Sequence, residues 1–392
     1  PECFIIEKKL KELMKIPVMH DDQHGTAIIS GAALLNALEM IQKKIENIKL
    51  VVSGAGAAAI SCARFYIRLG VKFENVVMCD IDGVIRKDRD GLTDIHGMFA
   101  TDRDIYTITE AMEGADVFLG LSAGNIISQD QIKSMAANPI VFALANPTPE
   151  ISYEEAMAAR KDIIMATGRS DYPNQVNNVI GFPYIFRGAL DVRATGINEE
   201  MKLAAALAIA NLAKEPVPDI VNKAYGESKL AFGKTYLIPK PLDPRLITTI
   251  APAVAKAAMK SGVAKTHIED WDAYELDLQE RIGIDQRLMS RVVSRAKKDP
   301  KRVVFAEADN PKILKAAQIM RDEKIGIPIL LGNKQKINKL IKANSLDLED
   351  IIVIDPNEQK AKLKQYGQLL YDKRKRKGLT LYEAKKLMKD RN

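Results

Sequence analysis

The segment His20-Asp21-Asp22-Gln23-His24-Gly25-Thr26 sets two carboxylates side by side. Adjacent carboxylates repel unless something offsets the charge, and a hard divalent cation does so. A helix N-terminus does so as well, with Asp21 or Asp22 capping a helix that starts near Thr26. The spacing is compatible with both readings. His20 and His24 read as orienting or structural groups rather than ligands. Further along, Gly54-Ala55-Gly56-Ala57-Ala58-Ala59 has the pattern G-x-G-x-x-A. In such a turn Gly54 permits the reversal, Gly56 lets the backbone approach a pyrophosphate, and Ala59 allows close helix–strand packing. The helix that follows offers N–H donors and a positive dipole end to the phosphates of a dinucleotide. Asp80, 24 residues beyond Gly56, is placed to reach an adenosine ribose. An acid there suits NAD. Arg86, Lys87 and Arg89 close behind it suit the 2′-phosphate of NADP, or form a solvated loop, so the choice of cofactor stays open. Asn146-Pro147-Thr148 and Gln175-Val176-Asn177-Asn178 add uncharged donor–acceptor groups that fit a hydroxy acid or a carboxamide; Asn is equally at home in turns.

These groups need a frame. Short β-branched runs at residues 49–53, 75–80, 116–121, 139–145 and 162–166 alternate with helical periodicity, as at 57–69 and 128–137. Continuous apolar strands alternating with helices predict a doubly wound parallel sheet covered on both faces, with ligands at the carboxyl ends of its strands. Helical stretches flank it at 25–44 and 198–214, the second opening on an Asn198 cap and an acidic first turn. Pro239, Pro241 and Pro244 mark an extended stretch over 232–246. A second βα rhythm follows, with strands at 302–307, 327–331 and 351–354 and helices at 311–323 and 334–342. It stops before a full sheet could close.

Composition bounds the reading. A chain of 392 residues with 47% hydrophobic and 28% charged residues is a soluble globular protein of two or more domains. No uncharged apolar run approaches the roughly 20 residues of a membrane span. Cys3, Cys62 and Cys79 make neither a disulfide framework nor a zinc site, which points to a reducing, cytoplasmic setting. The net charge of +7 sits in residues 373–392, where nine Lys/Arg face Glu383 and Asp390; elsewhere 49 basic residues balance 49 acidic ones. That run reads as a solvated surface helix, so nucleic acid is not an expected partner. The chain opens on Pro1-Glu2-Cys3 without a Met, and reads as a piece of a longer protein.

The ordered blocks at residues 1–7, 20–26, 54–59, 145–148 and 175–188 resemble the bacterial hybrid-type NADP-dependent malic enzymes over residues 1–268. The segment from 300 onward is similar to the start of a phosphate acetyltransferase-like domain. The resemblance implies an α/β fold: a Rossmann-type doubly wound sheet over 21–177, inserted in a mostly helical substrate-domain remnant made of 1–20 and 178–268. A linker at 269–289 and a partial phosphate acetyltransferase-like domain at 290–392 would follow. The implied reaction is oxidative decarboxylation of (S)-malate to pyruvate and CO2 with reduction of NADP, NAD being the alternative. Asp22 would ligate Mg2+ or Mn2+, with Asp21 beside it in the catalytic network. Gly54 to Ala59 would hold the coenzyme phosphates, and Asn146 and Asn178 would contact the nicotinamide end and the substrate carboxylate. A homo-oligomer and acetyl-CoA regulation through the last domain are further implications. The family's Tyr acid, Lys base and Glu-Asp metal pair precede the segment matching Pro1, so this piece is expected to bind nucleotide without turning over malate. Two rivals are another NAD(P)-dependent dehydrogenase and a non-catalytic nucleotide- or acetyl-CoA-sensing module.

Overall fold

The computed structural model describes residues 2–227, 230–282, 295–322, 324–343, 346, 348 and 350–388. Two compact units divide the chain, residues 1–282 and 283–392. The centre of the first is a six-stranded sheet: β1 (Leu50–Ser53), β2 (Val76–Asp80), β3 (Gly83–Val84), β4 (Val117–Gly120), β5 (Ile140–Ala143) and β6 (Ile164–Thr167). Their order is β3-β2-β1-β4-β5-β6, and every pair is parallel except β2–β3. Leu50 is in register with both Val76 and Val117, so β1 is where the strand order reverses. The five strands read from the sequence are all present; β3, a two-residue hairpin arm behind Gly83 (φ +108°), was not expected.

All residues of β1, β4, β5 and β6 are buried, as a sheet with two covered faces requires. Strand alternation divides them between two cores. Leu50, Val52, Met78, Leu119 and Phe142 pack on one face; Val51, Val77, Phe118, Val141 and Met165 pack on the other. The first face is covered by helix α2 (Asp21–Met40), helix α3 (Ala57–Leu69) and the helices Phe182–Asp191, Glu199–Lys214 and Arg245–Lys260. Close packing there depends on small residues. A Cβ on Gly188 would stand 2.4 Å from the Ala251 carbonyl oxygen of the neighbouring helix. Asn198 caps its helix as expected, accepting from Met201 N at 3.0 Å.

One expectation is corrected at α2. The helix begins at Asp21, four residues before the expected start, and its N-cap residue is His20, which makes no side-chain cap. Asp21 and Asp22 therefore occupy the first turn, where the helix dipole favours carboxylates, and neither caps a helix starting near Thr26. A preceding helix, α1 (Glu2–Leu13), packs Glu7 inward.

In the second unit β7 (Lys301–Phe305), β8 (Gly326–Leu331) and β9 (Ile352–Ile354) form a parallel three-stranded sheet, with helices Pro311–Asp322 and Lys334–Ala343 as the crossovers. Leu314, Ala317, Leu330 and Ile337 form its core. The basic run ends helix Lys360–Arg374 and enters a short turn at Lys375–Lys377. Helix Trp271–Ile282 occupies much of the stretch read as a linker. Residues 283–289 of that linker, the expected domain start at 290 and position 323 lie outside the described residues. No helix among the described residues is long and apolar enough to cross a membrane.

Candidate functional site

The turn between β1 and α3 is shaped to receive something. Gly54 has φ +108°, a conformation that L side chains rarely adopt, and a Cβ there would lie 2.5 Å from the Leu121 carbonyl oxygen at the end of β4. Gly56 is the reverse case: its φ is −78°, and an added Cβ would meet no atom within 4 Å. Its hydrogen side chain thus leaves open space over the first turn of α3, where the N–H groups of Ala57 and Ala58 lack helical acceptors. Ala59 is fully buried against the strands. His96 holds the loop from outside, its Nε2 3.1 Å from the Ala55 carbonyl oxygen. Backbone donors at a helix N-terminus over open space fit a pyrophosphate.

Asp80 ends β2 as expected, but its carboxylate is already engaged. Arg89 donates to both oxygens, at 2.9 Å each, and reaches Asp82 at 3.3 Å. Arg86 is turned to Asp88 at 2.9 Å, to the Arg103 carbonyl and onto the Tyr106 ring, and Lys87 pairs with Asp102. Of the three basic residues singled out by the sequence, only Arg89 is joined to Asp80.

A second cluster forms at the start of α2. Asn178, carried on the segment that leaves the end of β6 through the Thr167–Gln175 bridge, accepts from Thr26 Oγ1 at 3.2 Å and approaches the Asp21 carbonyl oxygen at 3.5 Å. Gly25 makes room for this meeting, since its Cβ would fall 2.2 Å from Asp21 Oδ1 and 2.9 Å from Asn178 Cγ. Asp21 Oδ1 is buried without a hydrogen-bond partner, as is His20 Nδ1. Burial, with the Asp22 carboxylate beside it, pushes the Asp21 carboxyl above its ordinary value. Asp22 itself is exposed. The link to the sheet edge runs through Gly168, just past β6, where an added Cβ would come within 3.0 Å of the Asn146 Nδ2. Asn146 and Asn178 thus lie in successive loops on the edge that carries Gly54.

Asp21 and Asp22 are hard oxygen donors that suit Mg2+ or Mn2+, but two carboxylates fall well short of the six or more ligands such ions take. Among the described residues no group of three or more His, Cys, Asp or Glu side chains could hold a metal. The residues present do not make a metal site on their own.

Two charged groups in the site region carried no sequence signal. Glu7 of α1 is buried and holds His24 Nε2 at 2.9 Å, Lys11 Nζ at 2.7 Å and the His20 backbone N–H at 3.2 Å. On the other side of the imidazole, His24 Nδ1 lies 3.0 Å from Lys202 Nζ, which also bonds Glu199 at 2.8 Å. The imidazole is thus held from both sides, by Glu7 and by Lys202. Glu150 is fully buried beyond β5, receiving N–H donors from Ser122 and Ala145. Each acid also draws partners from distant elements, His24 for Glu7 and Ser122 for Glu150, which no local pattern marks.

A parallel sheet that reverses order beside a Gly-x-Gly turn defines a dinucleotide-binding protein. Comparison with known proteins makes this specific. Residues 23–222 match the family described as "Malic enzyme, NAD binding domain", and residues 287–392 match "Phosphate acetyl/butaryl transferase". The chain is 48% identical over 395 residues to an NADP-dependent malic enzyme of Rhizobium meliloti, covering 100% of this chain and 52% of that protein. It is also 48% identical over 361 residues to an NAD-dependent malic enzyme of the same organism, covering 91% of this chain and 47% of that one. Among solved structures, the malic enzyme from Pyrococcus horikoshii superposes with a TM-score of 0.64 at 38% identity, over 74% of this chain and 66% of that one. The chain belongs to the malic enzyme family. It spans about half the length of the curated relatives it matches.

Proposed function

We propose that this chain carries the dinucleotide site of an enzyme that oxidatively decarboxylates (S)-malate to pyruvate and CO2 with reduction of NADP. The observation that carries the proposal is the Gly54–Gly56 turn at the sheet's order reversal, with open space over Gly56 and the Asp21–Asn178 cluster on the same edge. In this reading the backbone from Gly54 to Ala59 takes the pyrophosphate. Asp80 and Arg89 together face the adenosine ribose. Asn146 orients the nicotinamide end, and Asn178 holds the substrate carboxylate next to Asp21. When bound, the coenzyme supplies the hydride acceptor. The protein's share is to orient the hydroxy acid and keep charge at fixed positions. Asp22 would supply one oxygen ligand of an incomplete set. A cytoplasmic homo-oligomer regulated by acetyl-CoA extends the same reading, the regulation being supported by the match over 287–392.

Similarity leaves the cofactor undecided, because NADP- and NAD-dependent relatives are equally identical to the chain. The Arg89–Asp80 pair supports NADP: it neutralises the acid that would accept a ribose hydroxyl and presents a guanidinium where a 2′-phosphate would lie. Arg89→Ala removes that guanidinium and frees Asp80. Affinity for NADP is expected to fall about tenfold or more, while NAD binds as well as before or better. A parallel loss for both nucleotides contradicts the assignment.

A further inference from the structure

We infer that Glu150 is a positioning residue for the nicotinamide half of the coenzyme, its buried carboxylate clamping together the loops that leave β4 and β5. The inference rests on the nucleotide reading above.

An ionised carboxylate is costly to bury without a partner. Glu150 is 0% exposed, and among the described residues no cation pairs with it. Its partners are donors from two loops. Oε1 accepts from Ser122 N at 2.9 Å and from Ser122 Oγ at 3.3 Å, and Oε2 accepts from Ala145 N at 3.2 Å. Ser122 is the second residue of the loop after β4; Ala145 immediately precedes Asn146 in the loop after β5. The sheet leaves a notch for the carboxylate at Gly120, the last residue of β4, where any Cβ would stand 2.3 Å from Glu150 Cδ. The clamp continues along both loops, with Asn125 N bonding the Pro149 oxygen and Ile127 N bonding the Glu150 oxygen, each at 3.0 Å. Through Ser122 it reaches the phosphate turn: Ser122 Oγ lies 2.9 Å from Ser53 Oγ, one residue before Gly54.

Burial pushes the Glu150 carboxyl above its ordinary value, so the fold bears a cost here that an apolar residue would avoid. The two strands it joins lie on the far side of the order reversal from β2. In a doubly wound sheet the adenosine half sits on the side of the acid ending β2, and the other half of the dinucleotide lies over the strands across the reversal. Glu150 is too buried to touch a ligand, so it acts by fixing Ser122 and Asn146 as one wall of the cleft.

The test is fluorescence titration of the 392-residue chain with NADPH and, separately, with adenosine 2′,5′-bisphosphate, which occupies the adenosine half alone. Glu150→Gln replaces one acceptor with a donor facing an N–H group. It should weaken NADPH about tenfold and leave the bisphosphate within about twofold. Glu150→Asp, one methylene short, should give an intermediate, equally selective loss. If Glu150→Gln does not fold, Ser122→Ala removes only the hydroxyl arm at an exposed position, and a loss of about threefold confined to NADPH is expected. Unchanged NADPH affinity overturns the inference, as does a parallel loss of both ligands, which would mark a general folding role. A wild-type chain that binds neither ligand overturns the nucleotide reading instead, and this inference with it.

Discussion

Gly54 and Gly56 stand two residues apart in one turn, and the same substitution should do different things to them. At Gly54 a side chain meets both a positive φ and the Leu121 carbonyl oxygen, so Gly54→Ala should destabilise the fold by about 1–3 kcal/mol. At Gly56 there is neither strain nor a neighbour, so Gly56→Val should melt within about a degree of wild type while weakening nucleotide binding about tenfold or more, because its methyls fill the space meant for the pyrophosphate. Thermal denaturation paired with NADPH titration checks both. Equal melting temperatures for the two variants would show that the turn is not built this way. The turn was legible because its chemistry is local: three small residues between a strand and a helix. Asp80 was legible in position and only partly in role, since the sequence showed three basic residues nearby and could not show that Arg89 alone would close on it. Glu150 was not legible, because Ser122, which donates to it through both its N–H and its hydroxyl, lies 28 residues upstream.

Helix α2 is the element on which the site turns, and its start is where the sequence reading was furthest off. Gly25 is a poor helix former, and it obscured the first turn; the structure keeps it because a Cβ would collide with Asp21 and Asn178. The other face of α2 is tied down by a chain of hydrogen bonds and ion pairs spanning four helices, from Glu7 of α1 through His24 of α2 to Lys202 and Glu199, with Arg68 of α3 3.7 Å from Glu199. Burial alone would raise the Glu7 carboxyl, yet hydrogen bonds from His24 and Lys11 bring it down from 4.5 to about 2. A folded value below the unfolded one means that Glu7 stabilises the native state fully above pH 4.5 and loses that contribution as the pH falls towards 2. Glu7→Gln should therefore cost about 1–3 kcal/mol at pH 7, and the gap to wild type should close on acidification. Urea unfolding at a series of pH values measures this. A gap that is constant with pH would mean that packing, not charge, is what Glu7 supplies.

At the scale of the molecule, alternation of strands and helices made both α/β units legible, and the parallel pairing β7-β8-β9 follows the rhythm read for residues 302–354. The hairpin strand β3 was missed because two residues carry no periodicity. The +7 charge is that of residues 373–392; in the proposed reading the coenzyme phosphates are met by the α3 N-terminus and Arg89. Calorimetric titration of the chain with NADP and with NAD, each with and without Mn2+ and malate, tests this assignment. One nucleotide should bind per chain, with NADP about tenfold or more tighter than NAD. Binding of neither nucleotide would contradict it.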